Sequence, residues 1–191
     1  GSAEDAAFML KQAETAMYQA KDAGRNAVRF FEPEMQERVE ARFALEGELR
    51  HAIERGQLRL YLQPQVDRDG NIVAAEALLR WQHPERGLVA PAHFIPLAEE
   101  NGFIVALGNW ALRESCRLLV AAERAQIPLR IAVNVSPRQF HQASFVATVR
   151  EILADTGADP GKLTLEITEG LVIDRVHQTV ATMTELRTLG I

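Results

Sequence analysis

The chain has a single cysteine, no basic tract and no long apolar run, and each absence excludes a class of protein. Cys116 has no intrachain disulfide partner, and it lies among leucines in a helical pattern typical of a small buried hydrophobe. With 21 basic and 26 acidic residues, the chain lacks the footprint of a protein that binds nucleic-acid polymers. No apolar run reaches the roughly 18 residues of a membrane span, and no signal-peptide pattern is present. We therefore expect a cytoplasmic segment without membrane contact, any anchor of the parent protein lying upstream.

The composition and the order of the patterns predict an α/β fold. The 191 residues are 47% hydrophobic, which suffices for one core. Beyond residue 57, strands alternate with helices of ten or more residues, as in parallel βα units. The first two strands, 58–66 and 72–81, are joined by a short turn. This turn predicts an antiparallel hairpin, because a parallel crossover needs about a dozen residues.

The strand IVAAEALLRW, residues 72–81, carries an acid where apolar residues dominate. Strand alternation places Glu76 and Arg80 on one face, together with Gln63 of the preceding strand. Burying an unpaired carboxylate costs roughly several kcal/mol of folding free energy unless it pairs with a cation, accepts a hydrogen bond or is protonated. Glu76 is therefore either half of a structural ion pair with an arginine, Arg80 included, or part of a functional site.

Two later strands, 129–135 and 162–168, each bring an oxygen ligand near their carboxyl ends. These ligands are Asn134 and Glu166, in the same phase as Glu76. Carboxylate and amide oxygens without histidine or thiolate suit Mg²⁺ or Mn²⁺. Taken alone, Asn134 could cap a loop and Glu166 could form a salt bridge. Three oxygen ligands in register favour a shared metal site.

Five motifs in order then resemble the EAL domain, a phosphodiesterase of cyclic diguanylate (cyclic di-GMP). They are LQPQ, EALLRW, HPERGLVAPAHFIPLAEENG, NVSPRQF and LEITE, within residues 47–191. The resemblance implies a (β/α)₈ TIM-like barrel whose first strand is antiparallel. It also implies metal-dependent hydrolysis of cyclic di-GMP to the linear dinucleotide.

The resemblance assigns roles to matching positions. Glu76, Asn134 and Glu166 match metal ligands, which makes Glu76 catalytic as well. Glu169, the second acid of LEITE, matches a catalytic-site residue that holds an active-site loop.

Three further positions match substrate-binding residues of the family. Gln63 and Arg80 match contacts to the dinucleotide, and Gln139 lies in the family's NxSxxQ motif. Arg80 can fork onto a phosphate oxygen, and its alternative is a pair with Glu76. Gln63 offers a donor and an acceptor to a base edge, and its alternative is a hydrogen bond at the end of the strand ladder.

The first 31 residues resemble a different domain. The sequence AETAMYQAKDAGRNAVRFF is similar to the last helix and strand of the GGDEF domain, without its catalytic signature. We expect a helix over 3–23 capped by Gly24, and a strand at Val28–Phe31. We expect a second helix over 34–55 with Gly56 as its cap. The first part of this helix would lie in a connecting segment at 32–46. The predicted domains are thus a GGDEF remnant (1–31), a connecting helix (32–46) and part of an EAL domain (47–191).

The chain ends before the paired aspartates, the lysine and the further glutamate of the resembled family. We therefore expect an incomplete barrel and an inactive fragment of a parent enzyme that hydrolyses cyclic di-GMP. An open sheet edge would favour association, including a homo-oligomer. The alternative is a non-catalytic cyclic di-GMP receptor or a signalling and interaction module.

Overall fold

The computed structural model describes residues 3–22, 28–167 and 176–191. The chain divides into two compact units, residues 1–49 and residues 50–191. None of the helices in the described ranges is both long enough and apolar enough to span a bilayer.

The first unit is a pair of helices, α1 (Ala3–Asp22) and α2 (Pro33–Leu49). The hydroxyl of Thr15 donates to Gln36 Oε1 at 2.8 Å, and Lys11 pairs with Glu40 at 3.7 Å. The predicted cap at Gly24 lies outside the described residues.

The expected strand at Val28–Phe31 is wrong. Residues 28–32 form no strand, and Val28 and Phe30 are 83% and 84% exposed. A strand needs a partner for its backbone hydrogen bonds, and no described strand pairs with this segment.

The second helix ends earlier than the sequence predicts. It stops at Leu49, and residues 50–56 form successive turns. Gly56 therefore does not cap this helix but closes the turns that follow it: its φ is 60°, its N–H donates to Ile53 O at 3.0 Å, and Gln57 N–H donates to Ala52 O at 2.9 Å. This pair of bonds is a Schellman motif, which a glycine in the left-handed region closes without a Cβ penalty.

The second unit alternates strands and helices after an initial hairpin. Its elements are β1 (Leu58–Val66), β2 (Ile72–His83), β3 (Gly87–Val89), α3 (Pro91–Asn101), α4 (Ile104–Arg124), β4 (Ile131–Asn134), α5 (Pro137–Phe140), α6 (Phe145–Thr156), a 3₁₀ turn (Pro160–Lys162), β5 (Leu163–Glu166) and α7 (Val176–Leu189).

The described strands form one sheet in the order β1-β2-β4-β5, with β3 also paired to β2. The predicted antiparallel hairpin is confirmed, while β2 to β4 and β4 to β5 are parallel. Asp67 closes the hairpin turn, since its carboxylate accepts from the N–H groups of Asp69 and Asn71 at 2.9 Å each. These bonds, chiefly those from Asn71, lower the pKa of Asp67. The sheet is the first part of a (β/α)₈-like barrel.

One face of the sheet packs on α4 and α6. Ile131 and Val133 of β4 are 0% and 2% exposed, and both belong to the main core cluster with Leu119 and Ile152 of these helices. By alternation, Ala132 and Asn134 lie on the opposite face. The helical layer therefore fixes which strand residues face the inside of the barrel.

Two short elements were not predicted. β3 pairs with the end of β2 at Trp81–His83, and α5 follows Asn134 within three residues. Three or four residues are too few to show a hydrophobic period, so the sequence marks α5 only by its N-cap. The Ser136 side chain accepts from Gln139 N–H, and Pro137 occupies the first helical position.

Cys116 is buried and unpaired, as predicted. Burial raises the pKa of its thiol above the ordinary value of 9.0, against smaller lowering effects from Thr156 and Arg113. Because the folded pKa lies above the unfolded one, the thiol's contribution to stability is complete below pH 9.0 and is lost as the pH rises through the folded pKa.

We therefore expect the native chain to resist a thiol reagent at pH 8 and to react fully once unfolded in denaturant. Since Cys116 is the only cysteine in the sequence, the signal needs no correction for other thiols. Labelling of the native chain at the unfolded rate would contradict this burial.

Candidate metal and dinucleotide site

The predicted oxygen ligands lie on one face of the sheet, at neighbouring register positions. Glu76 of β2 is opposite Gln63 of β1 and beside Ala132 of β4. Asn134 and Glu166 are register partners at the ends of β4 and β5. Since register partners present their side chains on the same side, the sheet brings Glu76, Asn134 and Glu166 together.

A direct contact joins two of the three. Asn134 Nδ2 donates to Glu76 Oε1 at 2.6 Å, and Val135 N–H donates to the backbone oxygen of Glu166 at 2.9 Å. Within the part of the chain that the structure describes, no salt bridge is formed by Glu76. The described residues therefore do not support the alternative that Glu76 is half of a structural ion pair.

Arg80 is held by its own strand and by an aromatic ring. Its Nη1 donates to the backbone oxygen of Leu79 at 2.9 Å, and its guanidinium carbon lies 5.5 Å from the centre of the Tyr61 ring. This geometry is a cation–π contact, and it keeps the charge on the face that carries Glu76. The alternative of an Arg80–Glu76 pair is not observed.

Tyr61 is the site residue that the sequence reasoning left without a role. The strand alternation already placed it on the face of Gln63, and its register partner is Leu78. The available signal was an aromatic residue two positions before Gln63 on the same strand face.

Gln139 is placed differently from the other predicted residues. Its side chain is 1% exposed, and its Nε2 donates to Asn109 Oδ1 in α4 at 2.9 Å. Although it borders the cavity described below, Gln139 therefore offers a ligand almost no surface for direct contact. Glu169 lies outside the described residues.

A cavity of about 290 Å³ adjoins the cluster at the strand ends. Most of its wall is apolar, Leu78 and Leu107 included. Its polar members are Glu99, Asn134, Ser136, Gln139 and Glu166. An apolar cavity with a few convergent polar groups is the usual form of a small-molecule site.

The donor set fits a hard divalent cation. Two carboxylates and one amide oxygen are ligands of the type that Mg²⁺ and Mn²⁺ take, with water filling the other positions. In the described ranges no three acidic, histidine or cysteine side chains are grouped to hold a metal ion. The site in this part of the chain thus depends on Asn134 beside Glu76 and Glu166.

Comparison with known proteins decides the family. The EAL domain matches residues 46–191. The chain belongs to the EAL domain family.

Curated EAL relatives match nearly the whole chain. The bifunctional diguanylate cyclase/cyclic di-GMP phosphodiesterase MucR of Pseudomonas aeruginosa is 39% identical over 96% of this chain and 27% of its own length. The cyclic di-GMP phosphodiesterase PdeR of Escherichia coli is 36% identical over 97% of this chain and 28% of its own length. The chain therefore spans less than a third of each of these relatives.

A solved EAL structure has the same fold over most of the chain. The MucR phosphodiesterase in complex with c-di-GMP superposes with a TM-score of 0.73 at 39% identity, covering 78% of this chain and 61% of the other. The EAL domain of FimX from Pseudomonas aeruginosa, bound to c-di-GMP, gives a TM-score of 0.67 at 25% identity over 78% of this chain and 59% of the other.

Proposed function

We propose that the protein carrying this chain is a metal-dependent phosphodiesterase that opens cyclic di-GMP to the linear dinucleotide. The observation that carries the proposal is the cluster of Glu76, Asn134 and Glu166 at adjacent strand ends. The relative MucR supports the proposal, because it is 39% identical to this chain and its structure is named as a c-di-GMP complex.

Glu76, Asn134 and Glu166 would hold the cation, Mg²⁺ or Mn²⁺. A bound cation of this kind lowers the pKa of a bound water and stabilises negative charge on the phosphate. The carboxylates supply the negative charge that attracts the cation, and the bond from Asn134 orients Glu76. Glu169 is proposed to support an active-site loop, by resemblance alone.

Arg80 and Gln63 would bind the dinucleotide. Arg80 lies over Tyr61 with part of its guanidinium still free to meet a phosphate oxygen, and Gln63 is exposed directly opposite Glu76. A substrate bound there would lie across β1 and β2, next to the carboxylates.

The first 46 residues would be the end of a GGDEF domain and its connecting helix, at 1–31 and 32–46. The MucR and PdeR matches support this, since they cover 96% and 97% of the chain and so extend before residue 46. MucR is named as bifunctional, which agrees with a cyclase domain joined to an EAL domain. We further propose that the 191-residue chain by itself is inactive.

A receptor that binds cyclic di-GMP without hydrolysing it is the second candidate. One observation favours it: the exposed Gln63 and the Arg80–Tyr61 pair lie on β1 and β2, where they could bind the dinucleotide without a cation. In a receptor, Gln63 and Arg80 would keep their roles and the metal ligands would have none.

Hydrolysis of cyclic di-GMP by the intact protein that carries these residues tests the proposal. We expect conversion to the linear dinucleotide, separated by chromatography, to require Mg²⁺ or Mn²⁺ and to stop with a chelator. Tight binding of cyclic di-GMP with no product at saturating metal would identify a receptor and contradict the enzyme.

A further inference from the structure

The short helix α5 is bonded to two neighbouring helices through consecutive side chains. Arg138 Nη1 donates to the backbone oxygens of Glu99 and Glu100, at 2.5 and 3.3 Å, in the last turn of α3. Gln139 Nε2 donates to Asn109 Oδ1 of α4 at 2.9 Å. Four residues of helix therefore bridge two longer ones.

The surface of α4 is shaped to receive the Gln139 amide. A Cβ added at Gly108 would lie 2.1 Å from Gln139 Oε1 and 2.5 Å from its Cδ, far inside any van der Waals contact. Only glycine at position 108 lets the amide lie this close to the helix backbone. The side chain is enclosed there at 1% exposure, so its hydrogen bond to Asn109 has no competition from solvent.

The same segment continues from Asn134. Val135 N–H is bonded to the backbone oxygen of Glu166, and the Ser136 hydroxyl accepts from Gln139 N–H at 3.1 Å. The backbone after Asn134 is thus fixed on one side by β5 and on the other by α5. A shift of α5 along α4 would move the strand end that presents Asn134 to Glu76.

We propose that Gln139 is a positioning residue: it pins α5 to α4 at Gly108 and Asn109 and so holds Asn134 in place for the cation. This inference rests on the proposed function, because it takes Asn134 as a ligand. It replaces the expected contact between Gln139 and the dinucleotide.

The test uses the intact protein that carries this chain and its variant Gln139→Met, which keeps the side chain's length and removes its amide. The concentration of Mn²⁺ that gives half-maximal turnover should rise about tenfold or more, as is common when a residue supporting a metal ligand is changed. The KM for cyclic di-GMP at saturating Mn²⁺ should stay within about twofold, since the ligand contacts are untouched. Asn109→Ala should give the same pattern, and it tests the inference if Gln139→Met does not fold.

Gln142→Met is the matched control. Gln142 also donates an amide hydrogen bond, to Arg138 O at 3.3 Å, but its side chain is exposed and contacts neither α3 nor α4 in the described bonds. We expect its Mn²⁺ dependence to match the wild type. An equal shift in Gln142→Met, or an unchanged Mn²⁺ dependence in Gln139→Met, would overturn the inference.

Amide hydrogen exchange of the 191-residue chain without metal separates this inference from the proposed function. In Gln139→Met, exchange should accelerate at Val135 as well as in α5, and remain unchanged in α6. Acceleration confined to α5 would refute the claim that the contact reaches Asn134. An intact wild-type protein that hydrolyses no cyclic di-GMP would refute the proposed function, and the exchange result on the 191-residue chain would still decide the role of Gln139.

Discussion

Glu76→Ala is expected to lower the turnover of cyclic di-GMP by about a thousandfold or more, equivalent to about 4 kcal/mol of transition-state stabilisation. The substitution removes one of the two carboxylates of the cluster and the acceptor for Asn134 Nδ2. The loss therefore combines a missing cation ligand with an amide that has lost its partner. Turnover of the intact protein carrying Glu76→Ala, purified and assayed at saturating Mn²⁺, measures this loss.

The controls for Glu76→Ala separate charge from shape. Glu76→Gln keeps the shape and an acceptor for Asn134 but lacks the charge, so we expect a loss nearly as large. Glu151→Ala removes an exposed glutamate on α6 and should leave turnover unchanged. Turnover by Glu76→Ala within about tenfold of the wild type would exclude Glu76 as a cation ligand.

Trp81→Ala is expected to lower the free energy of unfolding by about 3–5 kcal/mol, a large part of the usual 5–15 kcal/mol. Trp81 is 0% exposed and meets the ring of Phe94 edge-on at 5.8 Å. Its Nε1 donates to Gln57 Oε1 at 3.0 Å, which joins the end of β2 to the segment before β1. Removing the indole leaves a cavity next to Arg80.

Denaturant unfolding, with the slope compared between variants, measures the Trp81 effect. Gln57→Ala is the matched comparison, because it removes only the indole's acceptor and should cost about 1–3 kcal/mol. A loss below about 1 kcal/mol for Trp81→Ala would show that the end of β2 does not depend on this packing.

The sequence predicted those parts of the fold that a local pattern determines. The sequence predicts helices over 145–156 and 176–189, and α6 (Phe145–Thr156) and α7 (Val176–Leu189) have these bounds, with Gly157 ending α6 at a φ of 74°. β4 (Ile131–Asn134) and β5 (Leu163–Glu166) are shorter than the predicted 129–135 and 162–168, and residue 168 lies outside the described residues. The strand expected at Val28–Phe31 does not form, because propensity alone supplies no partner strand.

The sequence predicted which site residues share a face of the sheet, but it did not predict which of them contact one another. Strand alternation gave Glu76, Asn134 and Glu166 a common face, and the register agrees. The bond from Asn134 to Glu76 joins residues 58 positions apart, which no local pattern encodes. The pairing of Gln139 with Asn109 is likewise visible only once α5 is packed on α4.

Mn²⁺ binding tests most directly whether Glu76, Asn134 and Glu166 form a cation site. The electron paramagnetic resonance signal of free Mn²⁺ monitors this binding. We expect the wild-type protein to deplete this signal. We also expect Asn134→Ala and Glu166→Ala each to weaken Mn²⁺ binding by about tenfold or more, while Glu151→Ala should bind Mn²⁺ as the wild type does. Equal Mn²⁺ affinity in all four proteins would contradict a cation site at these strand ends.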